Sequence, residues 1–204
     1  MLNDAVLVSL LQRAYSGEKA AAFAYQGHAG AVSNQAEKQA IKQIEVDEWN
    51  HRDEVLKMMH QYNVPVSKWM EFKCHLIGKT ISASCYVIGW FMPFYFAGDL
   101  ESGNVCEYIR MKRLFNALDI TAHDAILYEM SLKEKEHEVY FYEQIKDNKL
   151  LPFFERFFGW GAVKRKNDID LETGFYIEDT NGYCPNYGEK KNAIASKPVT
   201  AKQI

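Results

Sequence analysis

Among its four cysteines, Cys74, Cys85, Cys106 and Cys184, the chain has no C-x-x-C pair. That absence removes the spacing used by rubredoxin modules, zinc ribbons and dithiol redox motifs. There is also no charged leader running into an apolar stretch, so a reducing cytoplasm is the expected compartment. A basic excess is missing too: 24 Lys and Arg stand against 27 Asp and Glu, giving a formal net charge of -3 and a pI near 6.1. Bulk electrostatics offer nucleic acid no sequence-independent attraction, and no nucleic-acid partner is expected. Strict apolar-polar alternation is too short anywhere to predict a sheet. At 204 residues the chain suffices for one full-sized domain and is short for two.

What is present is helical periodicity. It predicts an all-α chain with helices over 4–30, 34–62, 81–116 and 121–147. Residues 63–80 contain Pro65, exceed a tight turn, and read as a crossover connection. Residues 150–160 read as a short aromatic helix, and 164–204, polar and aperiodic, as an arm. The expected division is a bundle over 1–160 and a polar C-terminal tail over 161–204. Two antiparallel hairpins joined by one long crossover is the connectivity of ferritin-like four-helix bundles. The uncharged run 81–98 sits at the lower length limit for a membrane span. Gly89 and Pro93 interrupt it and Asp99 follows at once, so a buried helix, or one resting on a bilayer surface, is expected instead.

Carboxylates break the apolar stripes at matching places. On the first helix Glu18 shares a face with Leu11, Ala14, Tyr15, Ala21, Ala22 and Tyr25. The second carries Ile41, Ile44, Glu48, His51, Val55 and Met58; the third Phe94, Ala97, Glu101, Val105 and Tyr108; the fourth Leu127, Met130, Glu134, His137 and Phe141. A buried unpaired carboxylate costs several kcal/mol even after relaxation, and no lysine or arginine joins these stripes before Lys112. Two ferrous ions would balance four carboxylates, with the imidazoles as nitrogen ligands. This donor set suits iron, with manganese as the alternative.

The spacing supports one level for all six. Glu18 and Glu48 are equidistant from Ser33, and Glu101 and Glu134 from the Ala117–Leu118 bond, both in turn-forming sequence. Equidistant residues of an antiparallel hairpin face each other, so each hairpin supplies one Glu and one E-x-x-H. The expected metal ligands are Glu18, Glu48, His51, Glu101, Glu134 and His137, with no catalytic residue beyond them. His28 and His123 lie about 15 and 16 Å along their helices from Glu18 and Glu134, too far to join. His60 and His75 read as surface or packing residues, and Tyr25, Tyr108 and Met130 as core. Glu45, Asp47, Glu54, Glu136 and Glu138 fall off the inward stripes and are expected in solvent. The ring nitrogens of His51 and His137 facing away from the metal need an acceptor, which the sequence does not name.

Arg13-Ala14-Tyr15-Ser16-Gly17-Glu18 with Tyr25-Gln26-Gly27, Asp47-Glu48-Trp49-Asn50-His51, Asp99-Leu100-Glu101 with Tyr108, and Glu134-Lys135-Glu136-His137 together resemble the motifs of the demethoxyubiquinone hydroxylase family over about 10–145. The resemblance implies O2-dependent hydroxylation of a quinol ring late in ubiquinone biosynthesis, at a membrane surface, with irons on the six residues named above. Ala14-Tyr15 stands where that family usually shows Asn-His, and a polar tail replaces its closing apolar helices.

The expected function is a di-iron monooxygenase acting on an apolar substrate such as a demethoxyubiquinol-like quinol. Expected partners are O2, that substrate, an electron donor the sequence does not identify, a second copy of the chain, and the inner face of a membrane as a peripheral surface. Residues 81–96 and 150–160 are expected to line an apolar channel or rest on lipid, where Phe153, Phe154, Phe157, Phe158 and Trp160 beside Lys164, Arg165 and Lys166 would suit an interface; capping the bundle as core is the alternative. The rival functions are a transfer-RNA hydroxylase-like enzyme, iron handling, and peroxide scavenging.

Overall fold

The computed structural model describes residue 2, residues 4–160, and the backbone of two strand segments within 169–176. The described residues form an all-α bundle with six helices among them: α1 Ala5–Ala31, α2 Gln35–Gln61, α3 Lys68–Ser84, α4 Phe91–Asn116, α5 Asp124–Ile145 and α6 Leu151–Phe158. Two two-residue strands, β1 Ile169–Asp170 and β2 Phe175–Tyr176, pair antiparallel. The remainder of the expected tail, with the basic run 164–166, lies outside the described residues.

Local signals set the helix starts. Asp4 accepts a hydrogen bond from Leu7 N at 2.8 Å, and Asn34 accepts from Ala36 N at 2.8 Å, each covering donors the first turn leaves open. At the other ends Asn63 (φ 56) and Asp119 (φ 59) take the left-handed conformation that stops α2 and α4. The short connections make α1 with α2, and α4 with α5, close neighbours. Between them lie two main apolar clusters, one around Tyr25, Phe94, Phe141 and Trp160 and the other around Leu11, Met59, Met111 and Phe115. The candidate site sits where these clusters leave off.

Two expectations require correction. The segment 63–80 is no bare connection, because it carries most of α3, capped by Ser67 on Met70 N at 3.4 Å. The third expected helix does not begin at Ile81: α3 runs to Ser84, the chain turns through Gly89 (φ 83), and α4 begins at Phe91 with Pro93 in its first turn, where no N–H is needed. The uncharged run 81–98 is thus split between two helices. No helix among the described residues is long and apolar enough to cross a membrane.

The face α3 turns inward is small and polar. A Cβ on Gly78 would lie 2.7 Å from Ala20 O, and one on Gly27 2.3 Å from Ser82 O, so the backbones of α1 and α3 nearly touch. Glu71 reaches inward to a bidentate pair with Arg52, Nη1 to Oε1 at 3.0 Å and Nη2 to Oε2 at 2.8 Å, and accepts from Lys19 at 3.1 Å. Burial pushes the Glu71 carboxyl up, but the Arg52 and Lys19 donors outweigh it and hold it below its ordinary value. The large residues of α3, Trp69, Phe72 and Leu76, point outward into solvent. On α6, Phe153, Phe157 and Phe158 are likewise exposed, while Leu151 and, beyond the helix end, Trp160 are buried, so the aromatic segment divides between a cap and a surface.

Candidate metal centre

The structure brings the six expected residues together in two overlapping groups. Glu18, Glu48, His51 and Glu134 form one; Glu48, Glu101, Glu134 and His137 form the other; within each, the ligand atoms all lie within 4.8 Å of one another. Glu48 and Glu134, the glutamates of the two E-x-x-H motifs, belong to both. A cation bonded at roughly 2.1 Å separates opposite ligands by about 4.2 Å, so each group has the dimensions of one ion. All six residues are buried.

Their polar atoms are arranged for something other than each other. Nine buried side-chain polar atoms among the described residues lack a hydrogen-bond partner, and six belong here: Glu18 Oε2, both oxygens of Glu48, Glu134 Oε1, and Nδ1 of His51 and His137. Buried polar groups without partners are rare, and six converging in one place form an acidic and imidazole cluster that could hold metal. The inward-facing imidazole nitrogens lie against carboxylates, His51 Nδ1 at 2.7 Å from Glu134 Oε1 and His137 Nδ1 at 3.5 Å from Glu48 Oε1. Burial, then the neighbouring carboxylates, pushes Glu48 and Glu101 far above their ordinary values. Burial likewise raises Glu134 to about 8. Burial lowers His51 and favours the neutral imidazole, the form that ligates metal. With carboxylates, neutral imidazoles and no thiolate, the residues present fit iron or manganese.

Several residues read from sequence as bland belong to the surroundings of this site. The Tyr25 hydroxyl donates to Glu101 Oε1, and the Tyr108 hydroxyl to Glu18 Oε1. Each tyrosine lies two turns beyond the lone glutamate of its own helix and reaches the one on the facing helix. Burial foremost, then the carboxylates, pushes both phenols well above their ordinary range, so they remain donors. Asn104 Nδ2 donates to Glu101 Oε2 at 3.2 Å and Glu134 Oε2 at 3.3 Å. Asp47, expected in solvent, is the acceptor the sequence could not name: its Oδ2 is 3.1 Å from His137 Nε2. Glu138, also expected in solvent, is buried and accepts from Trp160 Nε1 at 3.0 Å and Lys135 Nζ at 2.7 Å.

The other histidines stay apart from the site. His28 is buried against Phe94 and Phe141, where burial lowers it to about 4. His123 pairs with the Tyr62 hydroxyl at 2.8 Å, His75 meets Phe23 edge-on, and His60 is exposed.

A pocket of about 260 Å3 opens between α1, α3 and α4 onto one side of the centre. Glu18, Asn104 and Tyr108 contribute to its lining, with Gly17, Ala21, Ala24, Ile77, Ile81 and Leu100 as apolar wall. Arg13 and Glu107, paired at 3.0 Å, also line it. No protein-family model, curated protein or solved structure matches the chain.

Proposed function

We propose that this chain is a ferritin-like di-iron monooxygenase that hydroxylates an apolar substrate, a quinol ring being the class best suited. The observation that carries the reading is the apolar pocket that ends on Glu18: a storage or ferroxidase site needs only a route for ions, whereas this one has room for an organic molecule beside the carboxylates. Two ferrous ions, when bound, supply two electrons to O2 and Lewis acidity beside the substrate. The net reaction consumes one O2, two protons and two electrons in all, which a donor provides over the cycle; it replaces one C–H by C–OH and releases one water.

The chain's own residues do the rest. Glu18, Glu48, Glu101, Glu134, His51 and His137 hold the pair, with Glu48 and Glu134 shared. Tyr25 and Tyr108 keep Glu101 and Glu18 turned inward by donating to one oxygen of each; the second oxygen of Glu101 accepts from Asn104, and that of Glu18 has no partner. Ala21, Ala24, Ile77 and Ile81 exclude water from the pocket, and the Arg13–Glu107 pair offers polar anchorage to a ring hydroxyl.

The test is product formation from iron-loaded, reduced protein given 18O2 and a methoxyquinol with an apolar tail. One 18O atom in the ring product is the expected result; O2 uptake with ferric mineral or free peroxide and no product would favour iron handling or scavenging. Nothing lies within 4 Å of a Cβ built on Gly17, so Gly17→Phe should fill the pocket, retain both irons and lose product by at least tenfold.

A peripheral membrane location follows from the same reading. Ile77 and Ile81 of the pocket wall belong to α3, the helix that turns Trp69, Phe72 and Leu76 to solvent with Lys68 and Lys73 exposed beside them. Co-sedimentation with anionic vesicles at low salt is expected for the native chain and loss of it for Trp69→Glu/Phe72→Glu; native protein left in the supernatant would remove the membrane from the proposal.

A further inference from the structure

The two halves of the site repeat each other closely. Each hairpin gives a lone Glu, a Tyr two turns on, and an E-x-x-H whose Glu is shared. The repeat breaks at the residue preceding each shared glutamate: Asp47 precedes Glu48, and Lys133 precedes Glu134.

The consequence falls unequally on the two imidazoles. Asp47 accepts from His137 Nε2, and Gln43 Nε2 fixes the other Asp47 oxygen at 3.0 Å. A carboxylate in that position fixes the imidazole tautomer with Nδ1 free for the metal and raises its basicity. No described residue accepts a hydrogen bond from His51 Nε2. The equivalent place is taken by Lys133, whose ammonium pairs with Glu136. Asn104 adds a second bias by donating to Glu101, which belongs to the His137 position alone, as well as to the shared Glu134.

Resting on the metal reading above, we propose that the two positions bind metal in order: the Glu101/His137 position fills first and holds its ion tightly, and the Glu18/His51 position fills second and exchanges. The second position is the one whose glutamate lines the pocket. Asp47 is then a positioning residue that sets which ion is retained, and Lys133 keeps the pocket-side ion loose. Losing such a carboxylate partner typically lowers metal affinity by about 10–100-fold, and this is the separation expected between the positions.

The experiment uses the full chain, stripped of metal and titrated anaerobically with Mn(II) under electron paramagnetic resonance. An isolated bound Mn(II) and a spin-coupled pair give different spectra. The first equivalent should produce the isolated signal, and the coupled signal should grow only with the second. Asp47→Ala should weaken the first affinity about 10–100-fold and make filling nearly simultaneous. Lys133→Asp, which gives His51 Nε2 an acceptor, should strengthen the second by a similar factor, and it tests the idea even if Asp47→Ala folds poorly. Coupled pairs at the lowest Mn(II) additions, or an isotherm unchanged by both substitutions, would overturn the order while leaving the dinuclear site standing. No bound Mn(II) or Fe(II) at all would overturn both.

Discussion

Glu134→Ala and Glu48→Ala should each leave the protein with less than one metal ion per chain after desalting, whereas Glu18→Ala should keep one. The difference follows from which groups each glutamate joins. Glu48 and Glu134 contribute to both sets of four, so removing either takes a ligand from each ion, while Glu18 contributes to one set only. Elemental analysis after gel filtration reads the stoichiometry directly. Stability should change sign with metal. In the stripped protein Glu134→Ala removes a carboxyl that burial disfavours, so the variant should melt no lower than the native chain. With metal present the native chain gains about 4 kcal/mol per ion at a thousandfold excess over Kd. For two ions that is roughly 15–30 °C in Tm, which the variant should lack. Two ions retained by Glu134→Ala would mean that Glu134 is not a ligand shared between them.

The six ligands were legible because each is a chemical contradiction within its surroundings. Glu18 among alanines and tyrosines, or Glu48 and His51 between Ile44 and Val55, breaks a strong periodic signal, and the mirror spacing about Ser33 needs only an antiparallel hairpin to become proximity. Asp47 was not legible, because its helical position lies off the inward stripe and only the packing of α5 against α2 brings His137 over it. Tyr25 and Tyr108 fit an apolar stripe as rings; that their hydroxyls reach across to the other hairpin's glutamate depends on interhelical distance, which periodicity does not encode.

The α3 helix shows the opposite failure. Its packed face holds the small or polar Glu71, Gly78 and Ser82, while Trp69, Phe72 and Leu76 face water. A pattern that assumes large residues inside misplaces such a helix, and here it hid the element that walls one side of the pocket. Glu138 was misread because Trp160, distant in sequence, covers it.

Between pH 6.5 and 8, the metal-free protein should lose stability as pH rises. Glu48, Glu101 and Glu134 are all raised above their ordinary values by burial first, so over this interval the folded state keeps protons the unfolded chain has already released. The unfolded state then binds fewer protons than the native one, and the free energy of unfolding must fall with increasing pH. Each carboxyl still protonated in the folded state contributes about 1.4 kcal/mol per pH unit, and for Glu134 this continues until about pH 8. His28 acts in the other direction but in another window. Burial lowers it to about 4, so its neutral form costs stability only as pH falls below its unfolded value near 6.5. Above 6.5 the carboxyls therefore act alone, and the loss over the interval should be about 2 kcal/mol if one of them holds its proton and about 6 if three do. Metal reverses the slope, since each ion displaces the protons it replaces and binds more tightly as pH rises. Thermal melts of stripped and loaded protein at pH 6.5, 7.2 and 8 should diverge steadily. Parallel curves would show that these glutamates ionise in the empty fold without difficulty, and the electrostatic reason for placing cations among them would be gone.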